Sequence, residues 1–77
     1  MSDRIAPIHY KELIKVFEKF GLKITRTKGD HIIMSKAGMK RPVVIQAKQN
    51  IAVDHILNNI KAANITREEY LEVLKNL

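Results

Sequence analysis

The sequence predicts an α+β fold in which helices cover one face of a three-stranded antiparallel sheet. Apolar residues recur at helical spacing near both ends of the 77-residue chain, whereas in the middle they alternate with polar residues. A small antiparallel sheet cannot bury its apolar face alone, so the two main helices should cover one side and leave the other free. The predicted order is helix, three strands, helix and a short C-terminal helix.

The first predicted helix follows residues 1–7, which show no periodicity and are expected to be a flexible N-terminus. Apolar residues then recur every three or four positions, with charged residues between them. They are Tyr10, Leu13, Ile14, Phe17 and Phe20. Gly21 is expected to end this helix, because glycine adopts the left-handed conformation of a C-terminal cap at little cost.

A β-hairpin is predicted next. Alternate positions are apolar at Leu22 and Ile24 in residues 22–27 and at Ile32 and Met34 in residues 32–35. The turn Lys28-Gly29-Asp30 lies between these two runs. The turn should deliver one imidazole, that of His31, to the start of the second strand. The free side of the sheet is expected to carry the basic residues.

A third strand and two further helices complete the prediction. Residues 42–47 are rich in β-branched side chains and follow a second turn, which indicates a third strand of an antiparallel meander. Asp54 is the expected N-cap of the second helix, which Asn64 should end. Thr66-Arg67-Glu68-Glu69 has the pattern of a capping box, so a short terminal helix is predicted to start there.

Composition limits the class of protein. The chain has no cysteine, which excludes disulfides and thiolate metal sites, and it should fold by apolar burial as a single domain, residues 1–77. No apolar run approaches the roughly 20 residues that a membrane span requires. The N-terminal residues lack the pattern of a signal peptide. We therefore expect a cytoplasmic protein that does not act at a membrane.

The net charge of +6 is concentrated in the middle of the chain. Residues 22–48 contain seven basic residues and one acidic residue, Asp30. The basic residues are Lys23, Arg26, Lys28, Lys36, Lys40, Arg41 and Lys48. One cationic face predicts a polyanionic partner, nucleic acid before membrane. A merely solvated Lys/Arg face is the alternative.

The three histidines differ in their surroundings. His9 and His55 lie near predicted helix starts, where a surface or capping role is expected, and the scattered histidines do not have the spacing of metal ligands. No metal and no cofactor are therefore predicted. His31 lies instead in the basic segment, with Lys28 three residues before it and Asp30 adjacent.

This setting of His31 is compatible with RNA cleavage. Cleavage without a metal needs a base for the 2′-hydroxyl proton, an acid for the leaving oxygen and positive charge near the phosphoryl oxygens. His31 could serve as the base or the acid, Lys28 could supply the charge, and Asp30 could orient the ring. A structural or solvent-facing His31 is the alternative.

A family resemblance adds to this interpretation. Gly29-Asp30-His31-Ile32-Ile33-Met34, preceded by a helix that ends at Gly21, resembles the "Gly-Ser-His-His" strand of the HicA toxin family, small ribonucleases of bacterial and archaeal toxin-antitoxin pairs. Residues 42–45 resemble the third strand of that family. The chain also resembles the family's "Leu-x-x-x-Leu-Lys-x-Ala-Gly-Ile-Ser" ending, with matches at Ile56, Ile60, Lys61, Ala63, Ile65 and Thr66. The resemblance covers about residues 10–70.

The resemblance implies a fold similar to the double-stranded RNA-binding domain, metal-independent cleavage of mRNA, and a catalytic histidine at His31. It also implies neutralisation by a HicB-type antitoxin that covers the active face. Together with the charge distribution it indicates an endoribonuclease toxin in which Lys28 stabilises the charged transition state and other basic residues hold RNA phosphates. These RNA-binding candidates are Arg26, Lys40, Arg41 and Lys48.

The chain departs from the family pattern at four positions. Asp30 replaces the usual Ser, Ile32 replaces the second His, Lys48 stands where many members have a His, and Asn64 replaces Gly. The alternative is therefore a non-catalytic module like the double-stranded RNA-binding domain, or an inactive HicA relative, for which the basic sheet face would suffice. A DNA-binding protein is a weaker alternative, since no helix-turn-helix with a basic recognition helix is found.

Overall fold

Three helices and three strands follow one another in the order that the sequence predicts. The computed structural model describes residues 4–77. The elements are α1 Tyr10–Lys19, β1 Lys23–Lys28, β2 His31–Ser35, β3 Val43–Gln46, α2 Val53–Ala62 and α3 Arg67–Lys75. The α+β fold, with its α-β-β-β-α order and an additional C-terminal helix, is thus confirmed.

The three strands form one antiparallel sheet with the order β1-β2-β3. Its covered face is lined by alternate residues of the two strands β2 and β3, namely Ile32 and Met34, and Val43 and Ile45. These residues share a core with apolar side chains from the helices, including the fully buried Phe17. The intervening residues of β2 and β3 lie on the other face, which we call the open face and which none of the helices in residues 4–77 covers.

Strand β1 extends beyond the helical layer. All six of its residues are exposed, including Ile24, of which 47% is accessible to solvent. The alternation predicted for residues 22–27 therefore does not give β1 a buried face. Only Leu22, just before the strand, is buried. Hydrophobic contacts consequently hold β2 and β3 to the helices, whereas β1 is held by its hairpin pairing with β2.

The C-termini of α1 and α2 end in the same way. Gly21 has a φ of 91°, and the N–H groups of Gly21 and Leu22 donate to carbonyl oxygens of the last turn at 3.0 and 3.1 Å. Asn64 has a φ of 60° and follows α2, and Ile65 donates back into that helix at 2.8 Å. Both patterns are Schellman caps, which use a left-handed residue to satisfy the free carbonyl groups. The predicted helix ends at Gly21 and Asn64 are thus confirmed.

The N-termini of α2 and α3 differ. The expected N-cap Asp54 is wrong, because Ala52 occupies that position and Asp54 lies in the first turn of α2. A carboxylate there still interacts favourably with the helix dipole, which explains why it resembles a cap in sequence. The capping box of α3 is confirmed: Thr66 accepts from the N–H of Glu69 at 3.1 Å, and Glu69 accepts from that of Thr66 at 2.9 Å.

Residues 4–9, which precede α1, include apolar side chains that pack against the domain. Residues 1–3 of the expected flexible N-terminus lie outside the described residues. In the remainder, Ile5 is 8% exposed and belongs to the core. Ile8 forms an isolated antiparallel bridge with Ile51, just ahead of α2. Ile5 and Ile8 therefore contribute apolar burial to the fold.

Candidate functional site on the open sheet face

A two-residue turn places His31 at the start of β2. Lys28 and His31 are direct partners across the hairpin, and Gly29 and Asp30 form the loop between them. Gly29 has a φ of 61°, and a left-handed first loop residue is typical of the type II′ turn, whose twist suits a hairpin. The N–H of Ala47 donates to the Asp30 carbonyl at 2.8 Å, so β3 also supports this end of β2.

His31 is half exposed and has one close polar contact. Its Nδ1 atom lies 3.2 Å from Oδ1 of Asp30, and 47% of the His31 side chain and 73% of the Asp30 side chain are accessible to solvent. Within residues 4–77, Nε2 of His31 has no hydrogen-bond partner. The carboxylate therefore engages one ring nitrogen and leaves the other available to a ligand.

The register of the sheet defines two rows of side chains that cross all three strands on the open face. The first row consists of Lys28, His31 and Gln46, which are paired across β1, β2 and β3. The second row consists of Arg26, Ile33 and Val44. Paired residues have Cβ atoms about 5 Å apart, and successive rows on one face are about 7 Å apart. The two rows thus combine two cations, an imidazole, an amide and an apolar pair.

A β-bulge at Thr25 determines which β1 residue belongs to the second row. The register shifts by one residue between Ile24 and Arg26, and the Thr25 hydroxyl donates to the Ile33 carbonyl at 3.2 Å. The bulge pairs Ile24 with Met34 of the covered face while Arg26 pairs with Ile33 of the open face. Two residues that strict alternation would place together are therefore separated. The expectation that the open face carries basic residues is confirmed for Arg26 and Lys28.

The other basic candidates lie at opposite ends of the sheet. Lys48 follows β3 close to the His31 end, where its N–H donates to the Gln46 carbonyl at 2.9 Å. Lys40 and Arg41 lie in the loop between β2 and β3, at the far end of β2. A five-residue strand spans about 13 Å between its first and last residues. The structure therefore brings Lys28, Arg26 and Lys48 near His31, but not Lys40 and Arg41.

The other two histidines lie in neither row and make structural contacts. Nδ1 of His9 accepts a hydrogen bond from the Lys11 N–H at 3.1 Å and caps α1. Nε2 of His55 donates to the Val44 carbonyl at 3.3 Å and connects α2 to the edge strand β3. The capping role expected for His9 is confirmed. His55 instead holds the edge of the sheet.

Three residues of the two rows were missed by sequence reasoning as functional candidates: Gln46, Ile33 and Val44. Strand alternation places Ile33 on the face of His31, and this signal was available. The pairing of Gln46 with His31 and of Val44 with Ile33 depends on the register between β2 and β3, which the sequence pattern does not specify.

The described residues were compared with the requirements of a metal site and of a membrane-spanning helix. Among residues 4–77, no group of three or more His, Asp or Glu side chains is arranged to hold a metal ion. None of the helices in the same residues is long and apolar enough to cross a membrane.

Comparison with known proteins identifies the family. The model of the family described as "HicA toxin of bacterial toxin-antitoxin" matches residues 10–65, well over half of the chain. The match begins with α1 and ends just before the capping box of α3, so it includes the whole sheet and both rows. No curated protein and no solved structure matches the chain. The chain belongs to the HicA family, the toxins of bacterial toxin-antitoxin pairs.

Proposed function

We propose that this HicA-family toxin is a metal-independent endoribonuclease that cleaves mRNA and uses His31 as its catalytic histidine. The observation that carries the proposal is the position of His31 in the first row, on the open face, between Lys28 and Gln46. The imidazole is half exposed and has one nitrogen without a partner in the described chain. A substrate lying on the open face can therefore reach it.

The proposed reaction is transfer of the RNA phosphoryl group to the neighbouring 2′-oxygen. A bond forms between the 2′-oxygen and phosphorus, and the bond from phosphorus to the 5′-oxygen breaks, which leaves a cyclic phosphate and a 5′-hydroxyl. The 2′-hydroxyl loses a proton and the leaving 5′-oxygen gains one. His31 carries out one of these transfers as general base or general acid, and solvent water carries out the other. Lys28 stabilises the negative charge that develops on the phosphoryl oxygens.

Charge supports RNA as the substrate. Residues 22–48 carry the entire net charge of +6, and Asp30 is the single acidic residue among them. Arg26 and Lys48 hold phosphates near the reacting group, and Lys40 and Arg41 hold phosphates at the far end of the sheet. An antitoxin of HicB type would neutralise the toxin by covering the open face.

Replacement of the imidazole tests the proposal. His31→Ala should abolish RNA cleavage and growth arrest, and the circular dichroism spectrum and thermal unfolding should remain those of the wild type because His31 lies outside the core. His9→Asn is the control, since it replaces the histidine that caps α1 by another capping residue and lies in neither row of the open face. Full toxicity of His31→Ala would contradict the assignment. We expect EDTA to leave cleavage unchanged.

A second candidate function is RNA binding without cleavage. The observation that favours it is Asp30, whose carboxylate contacts the His31 ring and would face an incoming phosphate. The basic open face would suffice for binding, because contacts to the RNA backbone need no catalytic group. Purified protein that binds RNA with steep salt dependence, yet leaves it uncut, would establish this candidate instead.

A further inference from the structure

An apolar pair lies next to His31 on the open face. Val44 is 37% exposed and pairs across the sheet with Ile33, which is half buried. Single exposed apolar residues are ordinary on protein surfaces. Here two β-branched residues form a continuous patch in the second row, with Arg26 on one side and the first row along another.

We infer that Ile33 and Val44 form a platform for one unpaired nucleobase of the RNA, next to the nucleotide that lies at His31. This inference rests on the proposed function and adds how the substrate is positioned. The two rows are about 7 Å apart, so a base on the second row belongs to a nucleotide close to the one on the first row. Apolar side chains can support the face of an unstacked base, as aromatic ones do.

Charge identifies the occupant of the platform as nucleic acid. Arg26 is the direct β1 partner of Ile33, and Lys28 occupies the adjacent place in the first row. A base that rests on Ile33 and Val44 would thus have its phosphates beside these two cations. An apolar surface next to a row of cations suits a nucleotide, which has an apolar face on its base and an anionic backbone.

The platform is held in place before any ligand binds. The carbonyl oxygen of Ile33 accepts from the Thr25 hydroxyl at 3.2 Å, and that of Val44 accepts from His55 at 3.3 Å. The backbone of each platform residue is thereby tied to a neighbouring element. Pre-organisation of this kind lowers the conformational entropy that is lost on binding.

Gln46 completes the site at the edge of the base. It lies on the same strand and face as Val44, two residues further along, and is the partner of His31. Its amide offers donors and an acceptor, which can pair with the hydrogen-bonding edge of a base. The platform would therefore contribute affinity for any base, whereas Gln46 would contribute a preference among bases.

Binding measurements with a full-length His31→Ala protein test the inference without cleavage. The probes are eight-nucleotide single-stranded RNAs, one intact and a set that lacks one base at each position in turn. With Val44 present, the RNA that lacks the base at one particular position should bind more weakly than the RNAs that lack a base at the neighbouring positions. Adding Val44→Thr should weaken the intact RNA about three- to tenfold, because a methyl group is replaced by a hydroxyl of similar shape. Val44→Thr should not weaken the binding of the RNA that lacks the base at that position.

Ile24→Thr is the matched control. It makes a similar apolar-to-polar change at an exposed β1 residue, but Ile24 pairs with Met34 of the covered face. It should leave RNA binding unchanged. Arg26→Gln should reduce the slope of log K against log salt by about 0.7, the value for one phosphate contact to a single strand, whereas Val44→Thr should leave the slope unchanged. Ile33→Thr is a second platform variant in case Val44→Thr impairs folding.

Several outcomes separate this inference from the proposed function. The platform would be overturned if Val44→Thr lowered the affinity for intact RNA and for every abasic RNA equally. It would also be overturned if Val44→Thr and Ile24→Thr changed RNA affinity equally. Either result would stand even if the wild type cleaves RNA. A wild type that does not cleave RNA but shows the abasic dependence would refute the nuclease and support the platform. If Val44→Thr weakens only the complex with the antitoxin, the pair is a protein contact and the inference is wrong.

Discussion

Nδ1 of His31 lies 3.2 Å from Oδ1 of Asp30, and both side chains are exposed at the tip of the hairpin. The carboxylate therefore has two opposing effects in the proposed reaction. It can hold the imidazole in one orientation, and it repels the phosphates that must approach the same ring. The two effects can be measured separately, because an asparagine at this position retains the contact with the ring but has no charge.

The first prediction concerns Asp30→Asn and Asp30→Ala. Both substitutions should raise RNA affinity about two- to fivefold at low salt, because a negative charge is removed. Asp30→Asn retains an oxygen that accepts from the ring and should cleave saturating RNA nearly as fast as the wild type. Asp30→Ala loses that contact and should be about threefold to tenfold slower. Equal single-turnover rates of the two variants would show that Asp30 does not orient the ring.

The second prediction separates the two groups of basic residues. Lys28→Gln should slow single-turnover cleavage about tenfold or more, because Lys28 is paired with His31 and stabilises the transition state. Lys40→Gln should weaken binding and reduce the salt slope by about 0.7, yet leave the rate at saturating RNA unchanged. Lys61→Gln, on α2, is the control for a general loss of charge. If Lys28→Gln and Lys40→Gln slowed cleavage equally, Lys28 would have no role in the transition state beyond that of a distant phosphate-binding residue.

The third prediction concerns the loop glycines. Gly29 has a φ of 61° and Gly38 a φ of 92°, and an added Cβ would contact nothing within 4 Å at either position. Alanine at either site should therefore cost only the backbone strain, about 1 kcal/mol of unfolding free energy in a denaturant titration. Gly29→Ala should also lower cleavage, since its turn positions His31, whereas Gly38→Ala should not. Similar activity of the two variants would mean that the turn does not control the ring.

The fourth prediction concerns stability at alkaline pH. Tyr70 is fully buried and its hydroxyl has no hydrogen-bond partner in residues 4–77. Burial, and secondarily the charge of Glu12, raises the pKa of Tyr70 from 10.0 to about 12. Between pH 10 and 12 the unfolded chain loses this proton while the folded chain keeps it. Folding stability should therefore fall with pH across that window, by up to about 2 to 3 kcal/mol from this group.

Tyr70→Phe isolates that contribution, because lysines titrate in the same range in both proteins. As pH rises from 10 to 12, the unfolding free energy of Tyr70→Phe should increase relative to that of the wild type. Near neutral pH the variant should be as stable as the wild type, or about 1 kcal/mol more stable, since it removes an unpaired buried hydroxyl. A clear loss of stability at neutral pH would indicate that the hydroxyl has a partner.

The sequence by itself determined the order of elements, the cap at Gly21, the capping box at Thr66 and the turn that delivers His31. Each of these depends on residues only a few positions apart, so local spacing is enough to predict them. The concentration of basic residues in the middle of the chain is likewise a property of the sequence. The start of α2 was misplaced, because an acidic residue is favourable both at an N-cap and in the first turn.

Only the tertiary structure decided which side chains meet on the open face. Strict alternation would place Ile24 and Arg26 on one face, but the bulge at Thr25 separates them and puts Arg26 beside Ile33. The pairing of Gln46 with His31 likewise depends on the register between β2 and β3. The physical reason is that a strand's own pattern has a period of two and contains no information about its neighbour. Register is set when inter-strand hydrogen bonds and core burial are satisfied together.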